Sequence, residues 1–177
     1  MLDILKEHLD RVLVTYTQGE YFEELKEAKE KYFTLTGKLD EDRIEFEARM
    51  NCFNDWYIFQ YRKKDGLKVI EDYIRKTDLD GDISQAFLNV NHSLFEYSKV
   101  NFKKQIILKD VLHDEKIALV KNHQNIGLVE GDFFISRVIK YKDEYYLLKG
   151  VCTLPTTVKS ILKKQSKKVR NLNSFEE

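Results

Sequence analysis

Proline is almost missing from these 177 residues, with one example, and glycine is scarce, with seven. Long flexible linkers are therefore not expected. Cysteine is also rare. Cys52 and Cys152 stand alone and far apart, unlike the even sets of a secreted disulfide scaffold, which points to a reducing cytoplasm. No apolar run approaches the ~18 residues of a membrane span. The opening MLDILKEHLD has no basic segment leading into an apolar stretch, so it is not a signal peptide. No internal repeat and no low-complexity tract stands out. The chain is expected to be soluble, with no membrane partner.

What is present favours folding. Hydrophobic residues make up 42% and aromatic residues 12%, too rich a supply for a disordered chain. The length suits one domain, with two lobes, burying roughly two-thirds of the unfolded surface. Net charge is zero but unevenly spread. Residues 1–90 hold 14 Lys/Arg against 20 Asp/Glu, and residues 91–177 hold 16 against 10. Residues 155–170 hold six basic side chains and no acid. That asymmetry suits an anionic partner, or two lobes that attract each other.

The first half has helical periodicity. Leu2, Leu5, Leu9, Val12, Leu13 and Tyr16 predict one helix, and Tyr21 to Phe33 a second, broken at Gly37. A third should start near Asp40–Asp42 and end at Asp65–Gly66. Its stripe of Phe46, Met50, Phe53, Tyr57 and Tyr61, thickened by Cys52, Trp56 and Phe59, places it in the core. Helices over 67–76 and 83–90 follow. From Ser93 the period becomes two. Strands are expected over 94–97, 105–109, 116–120, 132–141 and 144–148, with a tight turn at Lys142–Asp143. Pro155 then opens a basic helix with Val158, Ile161, Leu162, Gln165 and Val169 inward, followed by a frayed tail over 171–177. The expected fold is α+β. A helical lobe over 1–90 precedes a small five-stranded antiparallel meander or barrel over 91–154 and a basic helix over 155–170.

The text FEARMNCFNDWYIFQYR resembles a segment in a group of uncharacterised bacterial proteins. So do NHSLFEY, LKDVL, and LVEGDFFISRVIKYKDEYYLLKGVCTLP before a basic helix. The resemblance covers about residues 30 to 168. It implies the same α-then-β plan and no activity, because the group is of unknown function. Some relatives carry a Cys/His zinc motif of the kind that ends the bacterial secretion motor protein. Cys152 has no CxC or CxH partner, so no zinc is implied here.

No catalytic motif stands out. Asp78, Asp80 and Asp82 resemble the start of a calcium loop, but Ile83 takes its glycine position and Asn89 its final acid. A solvated turn, with Asp82 capping the next helix, is the simpler reading. His8, His92, His113 and His123 have no His or Cys two or four residues on, so no metal site forms. His113 and His123 fall in turns. Each cysteine reads as a small buried apolar residue. No GxGxxG or GKS/GKT text exists for a phosphate loop. Gly131-Asp132 suits the entrance of a strand in a small barrel, Gly for the turn and Asp for nearby backbone N–H groups.

Three functional classes remain. The first is a non-enzymatic intracellular protein-interaction or regulatory module, without a cofactor. The second is a nucleic-acid binder using Lys103, Lys104, Arg137, Lys140, Tyr141, Lys163, Lys164 and Lys167, since single-strand binders combine positive charge with stacking rings. Phe102 and Tyr145 are further rings among those lysines. The third is an enzyme with a pocket around Asp55, Trp56 and His92. The sequence leaves the oligomeric state open.

Overall fold

The computed structural model describes residues 2–42, 44–121 and 127–173. His123, expected in a turn, and residues 174–177 of the expected tail lie outside them. The fold is α+β, with six α-helices and a curled antiparallel sheet among the described residues. These residues form two compact units that divide between Val90 and Asn91.

The first unit holds α1 (Leu2–Tyr16), α2 (Phe22–Thr36), α3 (Phe46–Phe59), α4 (Val69–Lys76) and α5 (Gly81–Leu88). Leu5, Val12 and Tyr16 recur on one face of α1 and are fully buried. Gly37 ends α2 at φ +95°, a conformation other residues rarely adopt. α3 starts later than its leading acids suggest. Residues 37–40 are irregular and Glu41–Asp42 and Ile44–Glu45 form turns instead, and the Arg49 guanidinium donates to the carbonyls of Gly37 and Lys38. α3 also stops earlier. The amides of Gln60 and Tyr61 both donate to the Trp56 carbonyl, and Arg62 then bridges to Lys68 around Asp65–Gly66. The core at α3 is aromatic. Phe53 and Trp56 meet Tyr32, Phe53 also meets Phe33, and Tyr57 and Tyr61 extend the cluster from Phe53 and Trp56, all at ring separations of 5.1 to 6.2 Å. Asp80, not Asp82, caps α5, its carboxylate accepting the Asp82 amide at 2.9 Å.

The second unit holds β1 (Asn91–Val100), β2 (Ile106–Asp110), β3 (Glu115–Ala118), β4 (Phe133–Tyr141), β5 (Glu144–Leu147), β6 (Cys152–Leu154) and α6 (Lys159–Asn173). The strand order is β3-β2-β1-β4-β5, and all pairs are antiparallel. The five expected strands are present, but the path is no simple meander, because β4 returns to pair with β1. A sixth strand, β6, adds to β4. The sheet curls into a half-barrel rather than a closed barrel. Phe95, Leu108, Ile117, Phe134, Val138 and Leu147, drawn from all five strands, cluster inside the curl. Its outer face carries Leu94, Val111 and Phe133, with Leu154 and Leu162 packed on them. At the entrance of β4, Gly131 adopts φ +94° and the Asp132 carboxylate accepts the Val129 amide at 2.9 Å.

α6 begins after a short 3-10 turn that follows Pro155. Its inward face differs from the expected one. Val158, Leu162, Ser166 and Arg170 turn inward, whereas Ile161, Gln165 and Val169 are exposed. Cys152 is exposed and Cys52 half-buried, so neither is the buried apolar residue expected.

Candidate functional site

Residues 97–108 contain Lys99, Lys103 and Lys104 and no acid. β1 and β2 stay paired to Val100 and Ile106, beyond an irregularity between Tyr97 and Lys99. The loop that joins them is tightly bonded. The Asn101 amide donates to the Gln105 carbonyl at 2.9 Å, and the Lys104 amide donates to the Asn101 carbonyl at 3.0 Å. The Gln105 amide donates to the Asn101 side chain at 2.9 Å. Lys104 takes φ +60°, which completes the tight loop. The result holds Phe102 outward at 92% exposure, with the Lys103 ammonium 5.9 Å from its ring centre. A phenyl ring left in water forgoes about 2 kcal/mol of burial, and nothing else in the loop recovers it.

This loop is tied to the far side of the half-barrel. The Gln105 side chain donates to the Leu119 carbonyl at 3.2 Å, and the Leu119 amide donates to Ile106 at 2.8 Å. Leu119 in turn bridges to Tyr145, and the Val120 amide donates to the Tyr145 carbonyl at 2.9 Å. Tyr97, Ile106 and Tyr145 are half-buried and pack on the inner cluster. Lys140, opposite Tyr145 in the β4–β5 register, stands 5.7 Å over its ring. A band linked through Gln105 and Leu119 therefore runs from Phe102 to Tyr145, with a lysine beside the ring at each end. Lys121 is exposed next to it. The nearby acids are Asp143, which is exposed, and Glu144, which accepts the Tyr146 hydroxyl at 2.6 Å.

The other residues singled out in the sequence have different surroundings. Arg137 and Tyr141 are only 5% and 6% exposed, so neither offers a surface for a polyanion. Lys163 is engaged with Glu96 at 3.0 Å, beside Lys159 at 2.7 Å. Burial alone would raise the Glu96 pKa, but these two lysines hold it below the ordinary value. Lys164 and Lys167 are exposed on α6. That helix starts beside Gly131, where Lys159 donates to the carbonyl, and ends with Arg170 donating to Val111. Lys103, Lys104 and Lys140 thus share the band and the rest do not. Asp55 is buried and Trp56 sits in the aromatic core, both in the helical unit. An open groove of about 710 Å³ in that unit runs elsewhere, along α1 past Asp10, Val14 and Tyr73. His92 belongs to the β unit, opposite Arg137. Crowding around its ring, and then the Arg137 charge, lower its pKa.

Two buried carboxylates went unmarked in the sequence. Asp72 is paired with Lys63 at 2.8 Å and Lys76 at 2.9 Å, and accepts the Tyr16 hydroxyl at 2.8 Å. Burial works to raise its pKa, yet these three donors outweigh it and hold the group at about 2. Asp110 is fully buried. It accepts Ser93 Oγ at 2.6 Å, Asn91 at 2.8 Å and the Leu112 and His113 amides, with His113 Nδ1 at 2.9 Å. Serine, aspartate and histidine here do not make a nucleophilic relay. The carboxylate lies between the other two, so this imidazole nitrogen faces Asp110 and not the serine hydroxyl. The set clamps the β2–β3 turn. Among the described residues, no group of three or more His, Cys, Asp or Glu side chains is placed to hold a metal ion. Among them, too, no helix is long and apolar enough to cross a membrane.

Comparison with known families decides membership. A family of unknown function, DUF7986, matches residues 12–177. The chain belongs to that family. The DUF7986 match spans the hairpin, both buried carboxylates and α6. It agrees with the resemblance to an uncharacterised group read from the sequence. No curated protein and no solved structure matches the chain.

Proposed function

We propose that this protein is a non-enzymatic binding module that grips another macromolecule with the free end of its β1–β2 hairpin. One observation carries the reading. Phe102 is held almost fully in water by a loop whose own hydrogen bonds prevent it from folding back. A rigid apolar anchor with a lysine beside it costs stability in the free protein and gains affinity in a complex, because little ordering remains to be done on binding. The module works in a bacterial cytoplasm, a reducing compartment in which an exposed thiol such as Cys152 stays free.

A second surface, separate from the hairpin, suits a protein contact. Ile161, Val169 and Leu172 are 59%, 49% and 69% exposed and fall on one flank of α6. Exposed apolar groups in a row suit a protein contact better than a polyanion.

The test of the hairpin reading compares the wild-type chain with Phe102→Ala. Both are recovered from an extract of the native host, and their thermal stability is matched beforehand. The variant is expected to lose macromolecules that the wild type retains. Equal recovery by both proteins would end the reading.

A further inference from the structure

We propose that the band from Phe102 to Tyr145 holds single-stranded nucleic acid, with a base stacked on Phe102 and phosphates on Lys103, Lys104 and Lys140. This rests on the reading of the hairpin end as the binding surface, and it names the occupant. The ligand must present flat apolar faces and regularly spaced negative charge. A single strand presents both, and every base has a face that can stack. The ring at each end of the band has a lysine beside it, at 5.9 Å for Phe102 and 5.7 Å for Tyr145. A stacked base would therefore have an ammonium next to its own phosphate.

The same geometry argues against a duplex. A ring on a hairpin tip meets a base face only if the pairs are first unstacked, which costs a few kcal/mol per step. It argues against an anionic bilayer too. Membrane affinity grows with the apolar area buried, and beside Phe102 the loop offers only half-exposed Val100. Tyr145 is recessed against the inner cluster, where a splayed base can reach and a flat bilayer cannot. The band also has few groups for reading base edges. Asn101 and Gln105 spend their side chains on each other, on the Gln105 amide and on the Leu119 carbonyl. Binding is therefore tolerant of sequence.

The experiment is a fluorescence anisotropy titration of the full chain. The probes are labelled single strands of about 12 nucleotides, DNA and RNA, of two unrelated sequences. Binding is expected at about 50 mM salt, with a log–log salt slope of about −2, which corresponds to about three phosphates. Phe102→Ala should weaken it about tenfold, whereas Phe102→Trp should restore it. The pair Lys103→Glu with Lys104→Glu should weaken binding and flatten the slope by about 1.4. The matching duplex and vesicles of anionic lipid should bind more weakly than the strand. The proposal is overturned if no strand binds at the lower salt. It is overturned equally if Phe102→Ala leaves affinity unchanged, or if vesicles bind through Phe102 and strands do not. Any of these results, with recovery from host extract still dependent on Phe102, would leave the hairpin as the binding surface and remove only the nucleic acid.

Discussion

A carboxylate can sit inside a protein only when donors or charges replace its lost water. Asp72 is served by two ammonium groups and a phenol, and Asp110 mainly by neutral donors. Replacing Asp72 by Asn leaves the buried Lys63 ammonium with Asp65 alone. The expected loss is about 3 kcal/mol, read by urea unfolding at neutral pH. The wild type should also show a steeper acid limb than the variant. The folded Asp72 pKa of about 2 lies below its ordinary 3.8, so the stabilisation is complete above about pH 4 and lost as pH falls towards 2. A shift of that size is worth about 2 kcal/mol. Both aspartates were hidden in the sequence for the same reason. Asp110 continues the alternation of Ile106 and Leu108, and Asp72 neighbours Tyr73 on α4. A periodic pattern marks such positions as buried, but the donors that make burial tolerable come from segments far along the chain.

At the level of elements, α6 shows how a helix can be legible while its orientation is not. Its apolar spacing fits the expected stripe of Val158, Ile161, Leu162, Gln165 and Val169. The helix instead buries Ser166 and turns Lys159 and Lys163 towards the sheet, where they meet Glu96 and cover the Phe133 ring at 5.0 and 5.3 Å. Lysine stems pack well on apolar surface while their heads find a carboxylate, a possibility that hydropathy does not register. Leu162→Ala should therefore cost about 2 kcal/mol. Val169→Ser and Leu172→Ser should each stay within about 0.5 kcal/mol, as exposed positions do. Thermal denaturation of the three variants checks the assignment, and a large loss at Val169 would reverse it. The strands were legible from their β-rich runs between turns, although β4 is buried on both faces instead of alternating. Their order was not, because alternation fixes which face is wet and says nothing of the neighbour that β4 returns to meet. Three-residue β6 is too short for any period to emerge. The site was legible in part. Lys103 and Lys104 stood out by charge, but only the structure shows a hydrogen-bonded loop that presents Phe102 to water.

For the whole molecule, the titrating groups agree on where stability is greatest. Burial, with Arg11 next in effect, lowers the His8 pKa, so stability present above 6.5 is lost as pH falls past that value. Glu71, Asp72, Glu96 and Asp110 are all held below their ordinary values, and they extend the loss through pH 4. Burial raises the pKa of Tyr16, Tyr57 and Tyr146, so the unfolded chain ionises first above about pH 10 and stability falls there as well. Thermal melts across the pH range should show a plateau between these limits. A maximum on the acid side of His8 would contradict it. The link at Leu119 and Tyr145 has a further consequence. An open sheet has two unpaired borders, each a template on which another chain can lay a strand. Here β3 and β5, each four residues long, fasten to each other through the Val120 amide. Val120→Pro, which deletes that donor, should free a border on which further copies can pair, seen as light scattering that exceeds the wild type's and grows with concentration while the helical content stays unchanged.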